Sequence, residues 1–272
     1  MNTTYDVTDL ITDIIPHLSV VSLFHISSMI KKFNHMIYHI MHLKIWIGKD
    51  ANLDNFRSLI ELEFYNDVQS IKDFSIFTNL TKLVYSTEAG KILRNETKII
   101  GLNTLTNLTY LDLTRSNVVS EIHLLTNLTY LNIDSNYKID NITTLVNLTE
   151  LDMRYTDIKC ISQLTNLSRL YMTHNEDIIV KSMTKLTHLS LHTDIINIDI
   201  SNLTNLIHLN LSFNNVITDI SMLTNLTYLN LTGNRRIKDV STLTNLRTLI
   251  LVRNRRQFDL SNLIHLTEVK GR

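Results

Sequence analysis

The sequence predicts an α/β fold in which one short unit repeats along most of the chain and stacks into a solenoid. Three observations predict it: a phrase that recurs about every 20 residues, an alternating step inside each copy, and an N-terminal segment with helical spacing instead. The chain has 272 residues, of which 44% are hydrophobic and 19% charged. That length and composition allow a large core and exclude a disordered chain.

The repeated phrase LTNLTYL begins at Leu105, Leu125 and Leu223, and close variants fill the chain between these copies. Successive copies start 19 to 21 residues apart, except for one interval of 28. The starting residues are Phe56, Phe77, Leu105, Leu125, Leu145, Leu164, Met183, Leu203, Leu223, Leu243 and Leu263. The unit has the form L-x-x-L-x-x-L-x-L-x-x-N, and such regular spacing indicates a repeat architecture.

Each copy predicts a strand, a turn and a return limb. The L-x-L step, such as Leu229–Leu231, alternates with period two and predicts a short strand, so stacked copies form a parallel sheet on a concave face. The return limb has apolar residues at period three, such as Ile217, Ile220 and Leu223, which predicts 3₁₀ turns or extended convex segments. The polar residue after each strand is expected to point inward and to bond backbone groups of neighbouring turns. These residues are Asn136, Asn175, Asn214, Asn234 and Asn254, with Ser116, Thr156 and Asp194 as substitutes.

The repeat resembles the leucine-rich-repeat family, in its short, internalin-like class, where LTNLxxLxLxxN is the common phrase. The resemblance covers roughly residues 55–270 and implies a solenoid domain of about ten to eleven repeats over residues 51–272. One repeat is longer by about eight residues. We expect its stretch Val84–Asn103 to form a loop on the convex side or edge.

Residues 1–50 carry no repeat phrase, and their apolar residues follow helical spacing, which predicts a small helical domain. The order DLITDIIPHLSVVSLFHISSMIKKFNHMI…LKIW resembles an F-box, although it lacks the Leu-Pro opening and has Phe33 in place of the usual Trp. The positions that match the apolar adaptor-facing or core residues of that family are Leu10, Ile14, Ile15, Leu18, Leu23, Ile26 and Phe33. The alternative is a helical cap that covers the first repeat.

An F-box would imply a substrate receptor that docks on the Skp-type adaptor of a cullin–RING ubiquitin ligase while the solenoid holds the target. The Ile-, Asn- and Thr-rich composition resembles F-box/leucine-rich-repeat proteins of amoeba-infecting giant viruses. The alternative is a leucine-rich-repeat scaffold or inhibitor without a ubiquitin role, whose N-terminal helices only cap the repeats.

The residues that flank the inward leucines of each strand predict a partner-binding surface on the concave face, because repeats in register arrange them in columns. Tyr and Arg favour interfaces through large contact areas with a polar end, although Tyr and Thr also suit strands generally. The candidates are Tyr110, Asp112, Tyr130, Asn132, Glu150, Asp152, Arg154, Arg169, Tyr171, His188, His192, His208, Asn210, Tyr228 and Asn230. A second candidate is a group of arginines near the C-terminal turns, which suits an acidic or phosphorylated peptide or is a solvated edge. It comprises Arg235, Arg236, Arg253, Arg255 and Arg256.

Charge and cysteine content argue against several other functions. Lys+Arg and Asp+Glu both number 26, so a net attraction to nucleic acid or to a membrane surface is not expected. The single cysteine, Cys160, and an N-terminus without a signal peptide or membrane span predict a cytoplasmic protein. We expect Cys160 to be a buried thiol. The Asn-x-Thr glycosylation sequons, such as those that begin at Asn107 and Asn225, are expected to be by-products of the repeated phrase.

No cofactor, metal or catalytic activity is expected. His188 and His208 are neighbours in one column, but no carboxylate or thiolate obviously completes a metal site with them. No phosphate-binding glycine loop or nucleophile motif occurs in the sequence. The sequence therefore predicts a protein that binds another protein.

Overall fold

A computed structural model describes residues 61–65, 73–86, 97–98, 100–116, 118–119, 121–173, 178–192 and 198–271. The predicted N-terminal helices lie outside these residues. So do all seven candidate adaptor-binding residues: Leu10, Ile14, Ile15, Leu18, Leu23, Ile26 and Phe33.

The repeats form one eleven-stranded parallel sheet, with one strand from each turn of the chain. Its strands run in chain order, which is the arrangement that the repeat predicts. They are β1 (Glu61–Tyr65), β2 (Lys82–Ser86), β4 (Tyr110–Asp112), β6 (Tyr130–Asn132), β7 (Glu150–Asp152), β8 (Arg169–Thr173), β9 (His188–His192), β10 (His208–Asn210), β11 (Tyr228–Asn230), β12 (Thr248–Ile250) and β13 (Glu268–Lys270). The pairing is in register, so that Leu209 lies between Leu189 and Leu229.

The return limbs are chains of tight turns, as period three predicts. In one limb the amide of Leu203 donates to the carbonyl of Ile200 at 3.0 Å, and that of Leu206 donates to Leu203 at 3.0 Å. Two of the described limbs form 3₁₀ helices, Leu102–Thr104 and Ile122–Leu124. The described part of the chain contains no α-helix, so the helical part of the predicted α/β class rests on residues outside it.

The core is a continuous stack of aliphatic side chains between the sheet and the return limbs. In a single turn Leu223, Leu226, Leu229 and Leu231 are all at most 1% exposed, and the same positions are buried in the other central turns. No single turn can bury these side chains alone, so each turn is stabilised by its two neighbours. Several aromatic side chains enter the core near its N-terminal end, where Phe74 packs against Tyr85 with the ring centroids 5.8 Å apart, and Phe258 enters it near the C-terminal end.

A column of polar residues follows the strands and is called the turn ladder. Its buried members are Ser116, Asn136, Thr156, Asn214 and Asn234, and Asn254 is partly exposed. Asn234 shows its chemistry most fully. Its Nδ2 donates to the carbonyls of Leu211 and Asn214 in the preceding turn, and its Oδ1 accepts from the amides of Arg236 and Ile237 at 3.0 Å each. The predicted inward orientation is therefore observed at these positions, because the turn's backbone groups need partners inside the core.

A second column, the entry ladder, precedes the strands. Each of its asparagines donates from Nδ2 to a backbone carbonyl of the preceding turn at 2.8–3.0 Å. Its members are Asn107, Asn127, Asn147, Asn166, Asn205, Asn225 and Asn245. The asparagines of the repeat's glycosylation sequons therefore have a structural role, because their side-chain amides bond one turn to the next.

The long repeat corrects one boundary. Val84 was expected to begin a loop, but Val84 and Tyr85 lie in strand β2 and are 5% and 0% exposed. Further along, β3 (Thr97–Lys98) pairs in parallel with β5 (Val118–Val119) as a separate two-stranded sheet. This part of the chain forms a strand because it places the buried Tyr85 side chain in the core beside Phe74.

Candidate functional site

The face of the sheet that points away from the core is called the sheet face, and it carries the predicted columns. Strand register places Tyr110, Tyr130 and Glu150 side by side, followed by Arg169 and His188. The column continues through His208, Tyr228 and Thr248. These side chains are partly or largely exposed, while the leucines between them are buried. All fifteen candidate residues lie in or directly beside the strands, and that they bind a partner stays a prediction.

The first column contains two stacks of rings. The rings of Tyr110 and Tyr130 are 4.0 Å apart and inclined by 2°, and Lys82 Nζ lies 5.2 Å from the centroid of Tyr110. Further along, the His208 ring lies 3.9 Å from Tyr228 and 5.4 Å from His188. Parallel strands about 4.8 Å apart bring equivalent rings within stacking distance, so the column presents a pre-ordered aromatic surface.

The second column is dominated by Asp and Asn, and its side chains fold back on their own turns. Oδ1 of Asp112, Asn132 and Asp152 accepts from the amide two residues later, at 2.9–3.2 Å. Asn210 and Asn230 do the same at 3.0 and 2.9 Å. These residue types are therefore partly explained by local structure, and their remaining polar atoms are what a partner could contact.

An acidic cluster lies beside the second column, where Asp134 and Arg154 follow Asn132 and Asp152 by two residues. Arg154 contacts Asp152 through Nε at 2.9 Å and Nη2 at 2.6 Å, and Asp134 at 3.6 Å. Burial, together with the charges of Asp152 and Asp134, raises the pKa of Asp112. Two carboxylates thus contact a single guanidinium, with Asp112 as a third acidic group beside them, and the cluster carries excess negative charge.

The histidines of the sheet face contact neighbouring rings and a hydroxyl group. Burial lowers the pKa of His188 and of His208, and Arg169 acts in the same direction on both. His192 Nδ1 lies 2.8 Å from Ser212 Oγ, and its ring contacts Phe213 edge to face at 5.5 Å. Within the described ranges, no group of three His, Cys, Asp or Glu side chains could hold a metal ion.

The columns continue toward the N-terminus beyond the residues predicted from the sequence. Lys82 pairs with Tyr110, and Glu61 pairs with Lys82 in turn. Lys82 Nζ lies 2.6 Å from Glu63 Oε1, which is 5% exposed. The copy that begins FTNLTKL at Phe77 could have placed Lys82 in the first column, because Lys82 occupies the position of Tyr110 in its own phrase.

Cys160 was expected to be buried, and this expectation is wrong: its side chain is exposed. The limb buries Ile158 and Ile161 at period three, which leaves the intervening Cys160 on the outside. Its Sγ lies 3.3 Å from Ser162 Oγ.

Known proteins are similar to this chain in fold and in part of its repeat. Residues 204–245 match the family model described as Leucine Rich repeats (2 copies). These turns are leucine-rich repeats. No curated protein matches the chain in sequence.

Three solved structures share the architecture. An internalin, inlF, from Listeria monocytogenes is 20% identical over 92% of this chain and 88% of its own, with a TM-score of 0.58. The functional domain of InlJ from Listeria monocytogenes is 21% identical over 84% of this chain and 57% of its own, with a TM-score of 0.62. The mouse RP105/MD-1 complex is 23% identical over 84% of this chain and 47% of that chain, with a TM-score of 0.60. These likenesses show that the fold is a leucine-rich-repeat solenoid.

The described part of the chain contains no helix that is long and apolar enough to cross a membrane.

Proposed function

We propose that this chain is a protein-binding scaffold whose target lies across the sheet face. The observation that carries the proposal is the column of stacked rings beside the acidic cluster, on a sheet whose register fixes both. Stacked tyrosine and histidine rings offer contact area at low cost in side-chain entropy, because their neighbours already hold them in place. Among the similar structures, that of mouse RP105/MD-1 is a complex.

The charge of the sheet face defines the chemistry of the target. Asp112, Asp134 and Asp152 carry more negative charge than Arg154 neutralises. Opposite charges across an interface favour association and select the partner. The target is therefore proposed to place lysine or arginine side chains over this cluster and apolar or aromatic groups over the rings.

The proposed activity is binding and not catalysis, in the cytoplasm. The polar side chains of the sheet face are engaged in turns, ion pairs and ring stacks, and this arrangement supports recognition of a surface.

At a finer level, we propose that residues 1–50 act as an F-box, so that the chain presents its target to a cullin–RING ubiquitin ligase through a Skp-type adaptor. The support is the order of apolar residues around Leu10, Ile14, Leu18 and Leu23 in the sequence. In the competing hypothesis the same residues cap the first repeat, and the chain is a scaffold or inhibitor without a ubiquitin role. A leucine-rich-repeat solenoid is compatible with both, because its ends must be covered in either case.

Target binding is tested with the full chain and two matched variants. Proteins cross-linked to the wild type in cells are compared with those cross-linked to Tyr130→Ala/Arg169→Ala and to Lys238→Ala, an exposed position on a return limb. We expect a set of partners that is lost from the sheet-face variant and kept by Lys238→Ala. If both variants retain or lose the same proteins, the sheet face is not the binding surface.

The F-box proposal is tested with a purified Skp-type adaptor and the full chain. Leu18→Asp/Leu23→Asp is expected to abolish adaptor binding, whereas Tyr130→Ala/Arg169→Ala keeps it. A folded wild-type chain that fails to bind any adaptor would refute the ligase role and leave the capping role in place. Circular dichroism and the unfolding midpoint of each variant show whether the solenoid is intact.

A further inference from the structure

Five arginines lie together on two successive turns, at the edge of the sheet where the chain leaves the strands. Arg235 and Arg236 follow Asn234 of the turn ladder, and Arg255 and Arg256 follow Asn254, while Arg253 precedes it. All five are exposed. Four of them line a groove of about 820 Å³, and Arg236 lies beside it. The lining residues are Asn234, Arg235, Arg253, Asn254, Arg255 and Arg256. The groove is separate from the sheet face and takes no part in the function proposed above.

Hydrogen bonds to the backbone hold two of these guanidinium groups in equivalent positions. Arg236 Nε donates to the carbonyl of Asn215 at 3.0 Å, and Arg256 Nη2 donates to the carbonyl of Arg235 at 3.0 Å. In each case the acceptor lies in the preceding turn. The backbone beneath them is fixed as well, because Asn234 and Asn254 accept from the amides of Arg236 and Arg256 at 3.0 Å. The groove therefore has an ordered rim.

No carboxylate in the described ranges pairs with any of the five arginines. On the sheet face, by contrast, Arg154 pairs with Asp152 at 2.6 Å and Arg169 with Glu150 at 3.9 Å. Five like charges on adjacent turns repel one another, and the repeat could place any polar residue at these exposed positions. A ligand with concentrated negative charge would relieve this repulsion.

We propose that the arginine groove binds a phosphorylated peptide segment of a protein partner. Planar guanidinium groups match the oxygens of a phosphate monoester and can donate to them in pairs. Within the described ranges the guanidinium groups of Arg235 and Arg255 bond to no backbone carbonyl. They occupy equivalent positions on neighbouring turns and are the groups that reach the phosphate. Arg236 and Arg256 stay bonded to the backbone and set the positive potential of the rim.

A compact anion fits this groove better than an extended nucleic acid. The cationic surface extends over only two turns, about 5 Å apart. The same turns continue into limbs that carry Asp239 and Asp259, and hydrogen bonds from Ser241 and Ser261 lower the pKa of these carboxyls. Asp219 repeats the arrangement in the turn before. A nucleic-acid backbone that extends beyond the arginines would meet these negatively charged carboxylates and be repelled.

The test measures binding of the full chain to a short Gly/Ser peptide with a pair of phosphoserines, by fluorescence anisotropy. The same peptide without phosphate, inorganic phosphate as competitor and single-stranded oligothymidylate complete the set of probes. The variant is Arg235→Gln/Arg255→Gln, which leaves the bonds of the Arg236 and Arg256 side chains to the backbone in place. The matched control is Arg247→Gln, an exposed arginine that lies before strand β12 and outside the groove.

We expect the phosphopeptide to bind more tightly than the unphosphorylated peptide, inorganic phosphate to compete, and the double variant to weaken binding by about tenfold or more. Arg247→Gln should bind like the wild type. The proposal is overturned if phosphate groups do not increase affinity, if Arg247→Gln is equally weakened, or if oligothymidylate binds as tightly as the phosphopeptide. Should the double variant fail to fold, Arg253→Gln provides the same comparison within the groove.

Discussion

The rings of Tyr110 and Tyr130 stack with their centroids 4.0 Å apart and their planes inclined by only 2°. They occupy the same position of successive repeats, and strand register brings them together. The stacking is thus a direct consequence of the repeat, and it makes the tyrosines stabilise each other before any partner binds.

A double-mutant cycle measures this coupling. Tyr110→Ala and Tyr130→Ala are each expected to destabilise the fold, and the double variant by less than the sum, with a coupling of about 0.5–1.5 kcal/mol. Urea unfolding followed by circular dichroism gives the free energies of unfolding. Tyr110 and Tyr228, which lie in different stacks, form the control pair, and their effects should add.

The turn ladder should be more sensitive than the entry ladder. Asn234→Ala leaves two carbonyls and two amides without partners in a site that is 1% exposed, and we expect a loss of about 2–4 kcal/mol in unfolding free energy. Asn245→Ala removes one bond at an exposed position and should cost about 1 kcal/mol or less. Equal losses in the two variants would contradict the ladder argument.

Asp112 should destabilise the protein at neutral pH. Its pKa is raised, chiefly by burial and then by the charges of Asp152 and Asp134, so the fold favours the protonated form. Below the ordinary aspartate pKa the side chain is protonated in both the folded and the unfolded chain, and its ionisation costs no stability. As the pH rises through the higher pKa in the fold, the unfolding free energy falls. Asp112→Asn is therefore expected to increase the unfolding free energy at pH 7 by up to about 1 kcal/mol. The gain should shrink toward pH 4, and a gain that is independent of pH would exclude this cause.

The paired histidines should make stability fall in mild acid. The pKa values of His188 and His208 are lowered, first by burial and then by the charge of Arg169, with His188 acting on His208 as well. The fold thus favours the neutral rings, and this stabilisation is complete above about pH 6.5 and is lost as the pH falls below it. Unfolding midpoints between pH 7.5 and pH 5 should decrease, and His188→Gln/His208→Gln should show a flatter dependence. In NMR titrations Arg169→Gln should raise the pKa of His188, and no change would rule out the electrostatic contribution.

Gly101 should tolerate no side chain. Its φ is 75°, and an added Cβ would lie 2.5 Å from the backbone nitrogen of Ser75. We expect Gly101→Ala to cost about 3 kcal/mol or more in unfolding free energy. Gly233→Ala is the matched control, since its Cβ would meet only the ring of Phe213, which is 37% exposed and can rotate. Neighbouring turns already hold Phe213 and Arg253 at φ of 57° and 56° in the equivalent position, so Gly233→Ala should cost clearly less.

The sequence was sufficient for the repeating part of the fold because each buried position recurs. Ile220 and Leu223 could be assigned to the core from period three, and Asn234 to the inside of its turn from its place after the strand. The same regularity placed Tyr110 beside Tyr130. Cys160 is the single cysteine of the chain, and its burial was predicted from the general tendency of cysteine to be buried instead of from its position in the repeat. That prediction was wrong.

Hydrogen bonds within and between turns were harder to foresee than the columns themselves. From the sequence, the side chains of Asp112 and Asn210 could bond either to a partner or to their own backbone. The structure shows that Oδ1 of each accepts from the amide two residues later. The entry ladder was hidden in the same way, because Asn107 and its equivalents were assigned no structural role in the sequence. The strand at Val84 was not predicted because Tyr85 stands where the repeat has the second leucine of its L-x-L step. Residues 1–50 lie outside the described residues, and their assignment stays a prediction.

The two ladders have a consequence for how such a chain can change over generations. The bonds that ladder asparagines donate to another turn reach only the turn immediately before. A precise excision of residues 203–222 would therefore join two equivalent positions, and every ladder residue would keep a compatible neighbour. Gene duplication or unequal recombination in units of twenty codons would thus lengthen or shorten the protein without new packing solutions. Insertion of a single codon inside a strand would break the register. Natural variants of this chain should accordingly differ by whole turns.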